Sequence, residues 1–418
     1  MHLVSESITY IFLFIALFVE VFFLITYFEF GEASFAPRSA RATAGQGKNP
    51  KKLPSVSIIV PVWNEETTVL KTIFSLLRLN YPKDKLSIFI VDDGSIDNTW
   101  KVIQRFARNK QVKLLRKENG GKHTALNYAL SQVSTELVGC LDADSFVHPE
   151  ALKRIVTQFA DGEIMAVTPS VKVFEPKGVL GLIQKTEYIF GIFLRRVFYY
   201  LNAIYITPGP FSIFRKSVFD KIGGYRHAHN TEDMEIAMRM QKNNMKIGNA
   251  HDAFIYTVIP TGFRALYKQR LRWVYGFLKN AIDYRDMFFK PQYGNLGMVV
   301  LPAAGFSVFS TMYFFGTTIF SWINSLIIKI KEISTIGFSW QGFNFDFFYM
   351  NTNVIVFVSI IAVLGTLLII VNSRGLAEEK NKFGFDSVLF LIFYAMLAPI
   401  WMVKAVYNVI FVKETKWR

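Results

Sequence analysis

Cysteine is almost missing from this chain: Cys140 is the only one. A lone thiol excludes an intramolecular disulfide framework and a cysteine-based zinc site, and it fits a reducing compartment. Charge is scarce too. Charged residues are 19% of the 418, against roughly 25% in ordinary soluble domains. Acidic residues are the rarer sign, 32 against 47 Lys and Arg. The sequence has no P-loop pattern, which excludes a kinase or ATPase of that type. It has no internal repeat of the kind an inverted-repeat transporter shows. It also lacks the interleaved basic and aromatic residues of a nucleic-acid-binding module, so nucleic acid is not expected as a partner. What it has in excess is apolar: 51% hydrophobic without counting glycine, 41 of those residues Phe. Soluble domains reach roughly 45–50% only with glycine included. Disorder is excluded, and the net charge of +15 is read as Lys and Arg in cytoplasmic loops of a membrane protein.

The apolar runs set the organisation. Ile8 to Phe28 is long enough to cross a bilayer once, for which about 20 residues are needed. No Lys or Arg precedes it and no small-residue cleavage site ends it, so it reads as a membrane helix rather than a signal peptide. Arg38, Arg41, Lys48, Lys51 and Lys52 follow, placing that flank in the cytoplasm and the N-terminus outside. Apolar runs return at Met298–Ile328, Asn353–Val371 and Ser387–Val412, with an aromatic stretch from Phe338 to Tyr349 suited to a membrane interface. The expected division is therefore a transmembrane helix at 1–30, a linker or interfacial segment at 31–53, a cytosolic globular region at 54–295, membrane helices at 296–412 and a basic tail at 413–418. Four passes would carry that tail outside, against the charge rule. Either one segment does not span or the tail breaks the rule.

Between Pro54 and Tyr293 the pattern is α/β. Buried-type strands are expected at 57–60, 88–91, 112–115 and 137–141, and helices at 66–79, 98–109 and 122–133. Such alternation predicts a parallel sheet covered on both faces, with ligands beyond the carboxyl ends of the strands. Polar groups stand at those ends. Pro61-Val-Trp-Asn-Glu65 follows the first strand, carrying Asn64 and Glu65. Val91-Asp-Asp-Gly-Ser95 follows the second. Its Asp92 and Asp93 suit a base or ribose edge, or else Asp93-Gly94 is a turn and Asp97-Asn98 a helix cap. After the fourth strand, Asp142 and Asp144 are alternate residues of an extended segment and can share one ligand. Paired carboxylates with substrate phosphates are how Mg²⁺ or Mn²⁺ is usually held.

Three further elements carry either a functional or a structural role. Gly120-Gly-Lys122 opens a helix where backbone N–H groups and a lysine can meet phosphate. Thr231-Glu-Asp233 opens another, either as an N-cap with acids in the first turn or as a general base. Gln269-Arg-Leu-Arg-Trp273 lies in a basic amphipathic helix just before a membrane run, the place for an interfacial helix.

Taken in order, Asp92-Asp93, Asp142-x-Asp144, Thr231-Glu-Asp233 and Gln269-Arg-x-Arg-Trp273, flanked by membrane passes, resemble the motifs of the processive family 2 membrane glycosyltransferases. These include the cellulose, chitin, hyaluronan and poly-N-acetylglucosamine synthases; the single N-terminal pass and short C-terminus look most like the bacterial poly-N-acetylglucosamine and hyaluronan enzymes. The resemblance implies a cytosolic GT-A domain combined with transmembrane helices, in the plasma membrane, transferring sugar with inversion from a UDP-sugar, UDP-N-acetylglucosamine being the expected donor. It implies that Asp92 and Asp93 hold the uridine, with Asn64 and Glu65 nearby and Lys122 at the nucleotide or its phosphates. Asp144, helped by Asp142, would hold Mg²⁺ or Mn²⁺ on the diphosphate. Asp233 would be the general base, with Glu232 beside it in the catalytic set. Gln269, Arg270 and Arg272 would bind substrate, Arg272 at the diphosphate, and Trp273 would contact the acceptor sugar. Tyr256–Thr261 would be a mobile gating loop and Gly209-Pro-Phe211 the acceptor entrance. Glu20, inside the first apolar run, either lines a polar pathway or packs against another helix. The alternatives are transfer of one sugar to a membrane lipid of polyprenyl-phosphate or ceramide type, and an inactive scaffold. Whether an export partner protein is needed stays open.

Overall fold

The structure, a computed structural model, describes residues 2–35, 53–337 and 354–411. The basic segment after the first helix, the aromatic stretch 338–349 and the tail 413–418 lie outside the described residues. The strands are β1 (Val56–Val62), β2 (Leu86–Asp93), β3 (Val112–Lys117), β4 (Leu137–Cys140), β5 (Ser145–Val147), β6 (Ile164–Val173), β7 (Ile213–Arg215) and β8 (Lys246–Thr257). The helices are α1 (His2–Phe35), α2 (Val69–Leu77), α3 (Thr99–Ile103), α4 (Lys122–Leu130), α5 (Ala151–Gln158), α6 (Gly178–Tyr200), α7 (Lys216–Ile222), α8 (Glu232–Lys242), α9 (Phe263–Asp283), α10 (Leu301–Ile336), α11 (Val354–Leu376), α12 (Phe385–Leu389) and α13 (Ala395–Ile410).

The eight strands form one sheet in the order β3-β2-β1-β4-β7-β6-β8-β5. Its first half follows the expected parallel pattern, and the second mixes a parallel β6–β8 pair with antiparallel ones. β3, β2, β1 and β4 run parallel, but β7 is antiparallel to both β4 and β6, and β5 is antiparallel to β8. Side chains alternate across β1: Ile58 and Val60 join α2 and α5 in a core on one face, while Ile59 joins α4, α7 and α8 on the other. The expected helices are shorter than their sequence windows. The one after β2 gives way to a 3₁₀ turn at Gln104–Phe106.

Four helical segments among the described residues are long and apolar enough to cross a membrane: Ser7–Gly31, Leu296–Ile336, Val354–Leu376 and Phe385–Ile410. The last is interrupted by a π turn at Phe390–Tyr394. They are not appended loosely. Phe23, Leu24 and Tyr27 of α1, Phe193 and Val197 of α6, Met234 and Met238 of α8, and Ile369 of α11 share one buried core. Helix α8 thus turns Ile236, Ala237 and Met240 to the sheet and Met234 and Met238 to the membrane helices. Glu20 accepts a hydrogen bond from Thr366 Oγ1 at 2.8 Å, and a Cβ on the adjoining Gly365 would come within 2.8 Å of its carboxyl carbon. That is the helix-packing role.

Candidate active site

The parallel register builds the first part of the site. It sets Arg116 opposite Asp92 and Lys117 opposite Asp93. Arg116 Nε lies 3.1 Å from Asp92 Oδ2, and Lys117 Nζ 2.7 Å from Asp93 Oδ1. Asp92 Oδ1 also accepts the Ser95 amide at 3.0 Å. Asp93 accepts the Gly120 and Gly121 amides at 3.2 and 2.9 Å. The amides expected to be open to phosphate therefore hold a carboxylate of the protein. Gly94 has φ +73, as the turn reading requires, and the Asp97 carboxylate accepts the Thr99 amide at 2.9 Å at the start of α3. Asn64, with φ +56, receives the Ile96 amide on Oδ1 at 2.9 Å and gives its own amide to Ser95 Oγ at 3.0 Å. The Glu65 amide donates to Thr99 Oγ1 at 2.8 Å. Asn64 and Glu65 stitch the end of β1 to the loop after β2.

Beyond β4 the carboxylates gather about a single lysine. Lys122 Nζ sits 2.7 Å from Asp142 Oδ1 and 2.7 Å from Glu232 Oε1. Burial would lower its pKa, but the two carboxylates outweigh it and hold the ammonium well above the ordinary range. Burial would raise Glu232, yet the Lys122 charge and hydrogen bond keep it below the usual carboxylate range. Asp233, its neighbour, goes the other way: burial and then the Glu232 charge push it up to about 6. The pair is divided into a permanent anion and a carboxylate that exchanges protons near neutrality. Burial, then Asp142 and Glu65, push Asp144 up to about 7. Its carbonyl accepts the Val258 amide at 3.1 Å, tying Asp144 to the loop after β8. Of the expected gating segment, Tyr256 and Thr257 belong to β8 and Val258 onwards to this loop.

Gly209 packs directly over the lysine: a Cβ there would lie 2.8 Å from Lys122 Nζ and 3.0 Å from Asp142 Oδ2, so a larger residue would have to displace this ion pair. Phe211, at φ +67, is fully buried. Thr231 is not an N-cap by its side chain, because its hydroxyl donates to Ala228 O at 2.9 Å. α9 brings in the Gln269–Trp273 element. Arg272 Nη1 donates to Asn230 O at 3.1 Å, just before Thr231. Arg270 is buried in a two-pronged pair with Glu187 of α6, Nε to Oε1 2.9 Å and Nη2 to Oε2 2.6 Å, and lies 4.2 Å over the Trp273 ring. Glu187, Lys117 and Arg116 escaped sequence reasoning. A lone Glu in an amphipathic helix carries no signal, but the basic pair at the end of β3 was readable as the partner of the acidic pair at the end of the neighbouring strand.

Residues 57–223 match the family model described as Glycosyl transferase family 2. The chain carries a family 2 glycosyl transferase domain. It is 28% identical to a poly-beta-1,6-N-acetyl-D-glucosamine synthase of Staphylococcus epidermidis over 359 residues, 85% of this chain and 82% of that one. A synthase of the same name from Staphylococcus aureus strain COL is 30% identical over 244 residues, 57% of this chain and 58% of that one. Among solved structures, a mannosyltransferase from Pyrobaculum calidifontis in complex with GDP-Man and Mn2+ superposes with a TM-score of 0.57 at 18% identity, covering 96% of this chain and 100% of that one. That likeness shows a shared fold over nearly the whole chain. The protein is a glycosyltransferase with four helical segments long and apolar enough to cross a membrane among its described residues.

Proposed function

We propose that this glycosyltransferase polymerises N-acetylglucosamine from UDP-N-acetylglucosamine into a β-linked polysaccharide, with its catalytic domain in the cytoplasm, and feeds the chain through its membrane helices. The observation that carries the reading is the gathering of Asp142, Asp144, Glu232 and Asp233 around Lys122, beside the Gln269–Trp273 helix, in a chain similar to polymer synthases over most of its length. Asp233 takes the proton of the acceptor hydroxyl as that oxygen attacks the donor C1. The C1–oxygen bond to the diphosphate breaks on the opposite face, so configuration inverts and UDP leaves with the bonding electrons. Lys122 and Arg272 face the charge that develops on the diphosphate. Asp92 and Asp93 frame the uridine pocket, and Trp273 meets the acceptor sugar.

Asp142 and Asp144 fit a Mg²⁺ or Mn²⁺ ion. They are hard oxygen donors, and the like-charge crowding that raises Asp144 is what a cation relieves. Among the described residues no group of three or more His, Cys, Asp or Glu is placed to hold an ion, which suits a site completed by substrate phosphates. The ion would supply charge neutralisation at the leaving diphosphate.

The test uses the full chain in lipid nanodiscs with radiolabelled UDP-N-acetylglucosamine, with and without EDTA. The expected product is a water-soluble polymer of high molecular mass that EDTA abolishes. A label found only in the lipid extract, as a single sugar, would replace this reading with the lipid-linked one.

A further inference from the structure

We infer that Tyr394, Glu187 and Arg270 form a positioning relay by which the last membrane-spanning segment orients the acceptor platform, Gln269 and Trp273. The inference rests on the proposed role of Trp273 at the acceptor. Its evidence begins with Arg270, whose three nitrogens are all committed within the protein. Nε and Nη2 clasp Glu187, and Nη1 donates to the Gln269 side-chain oxygen. The same guanidinium covers the Trp273 ring at 4.2 Å. One buried cation thus fixes both the amide of Gln269, with its carbonyl turned inward, and the indole one turn along the helix.

Glu187 is itself held from the membrane side. Tyr394 Oη donates to Glu187 Oε1 at 3.1 Å. Tyr394 is the last residue of the π turn Phe390–Tyr394, and its ring is clamped between Phe390 at 4.7 Å and the buried Trp401 at 6.2 Å. π turns are uncommon and are frequently found at functional sites. Helix α9 also packs along α13, so the two ends of the relay belong to helices already in contact. On α6, one turn before Glu187, Gln184 Nε2 donates to Pro260 O at 2.9 Å. Residues 184 and 187 share a helix face. That face therefore holds the acceptor platform at one point and the loop beside Asp144 at another. A shift of the last membrane segment, such as a polymer moving past it would produce, would reach Trp273 through two hydrogen-bonded contacts.

Tyr394→Phe removes the link while keeping the ring and its stacking, and Glu187→Gln weakens the fork on Arg270. Both are made in the full chain in nanodiscs. For Tyr394→Phe the acceptor KM for an N-acetylglucosamine oligosaccharide should rise roughly 3- to 10-fold, the loss expected for one ordinary hydrogen bond. Polymer should shorten, while UDP affinity and Tm stay at wild-type values. A second readout needs no activity: the near-UV circular dichroism difference between wild type and Trp273→Phe, repeated in the Tyr394→Phe and Glu187→Gln backgrounds, should shrink or change sign. Wild-type acceptor KM and polymer length with an unaltered Trp273 spectrum would overturn the relay. So would a parallel fall in UDP affinity and Tm, which marks a purely structural contact. If wild type makes no polymer, the functional reading fails, and the Trp273 spectrum still decides the relay.

Discussion

At the ends of β2 and β3, Asp92 and Asp93 meet cations and backbone amides, whereas beyond β4 Asp142 and Glu232 share the ammonium of Lys122, with Asp144 and Asp233 within reach of its charge. Both sets stand at the ends of the same sheet and are built from the same residue type. The first set is satisfied by the protein and holds loops in shape. The second is under-compensated, and Asp233 and Asp144 respond with carboxyls raised to about 6 and about 7. The lesson is that a carboxylate's role here follows its company. Substitution in the first set should cost structure, and in the second chemistry.

Asp233→Asn should break the comparison most sharply. Transfer should fall by roughly 10²–10⁴-fold, the share of a general base, with UDP affinity unchanged by titration calorimetry. In the wild type, kcat/KM should decline as pH drops through about 6, where Asp233 takes up a proton. The stability effect has the opposite sign. The folded pKa lies above the roughly 3.9 of an unfolded Asp, so the folded state binds the extra proton between those values, and stability falls as pH rises through that window. Asp233→Asn should therefore fold at pH 7 at least as stably as wild type. Loss of UDP affinity in step with transfer would place Asp233 in the nucleotide site instead.

Lys122→Met comes next. It strands Asp142 and Glu232 without their shared cation, and removing one partner of a buried pair typically costs about 3–5 kcal/mol. Denaturant titration in detergent should show that loss at pH 8. It should shrink at pH 5, where Glu232, no longer held down by Lys122, can take up a proton. An equal loss at both pH values would mean that packing beneath Gly209, rather than charge, is what Lys122 supplies.

Asp93→Asn should give the mirror image of Asp233→Asn: stability lost before chemistry. It removes the charge that receives Lys117 and two glycine amides, worth about 1–3 kcal/mol. The fall in transfer should track a fall in UDP affinity. Wild-type Tm with lost activity would overturn the scaffold role.

The half of the site that follows β2 and β4 was legible because its signals are local. A short apolar strand followed at once by acids, as in Val91-Asp-Asp93 or Leu141-Asp-Ala-Asp144, puts side-chain period and chemistry in one window. The far half of the sheet was not. β6 pairs with β8 some eighty residues later, and such pairing leaves no mark within a window. Nor could the partners of Arg270 be read from its neighbours alone, because Glu187 lies in another helix and Tyr394 in the last apolar segment.

The smallest effect is expected at Glu20, and it tests whether an acid inside a membrane helix belongs with the reactive set or the scaffold. Intramembrane carboxylates often mark a pathway, and a growing polymer needs one. Yet Glu20 has a partner, Thr366 Oγ1 at 2.8 Å, and rests against a glycine that leaves it no spare room. Gln keeps both the acceptor oxygen and the shape. Glu20→Gln should therefore change stability by no more than about 0.5 kcal/mol and leave polymer length as in wild type. Gly365→Leu, which forces α1 and α11 apart, should do far more damage than the charge change does. If Glu20→Gln alone shortens the polymer while Gly365→Leu is tolerated, the carboxylate lines the path of the product, and the packing contact is incidental.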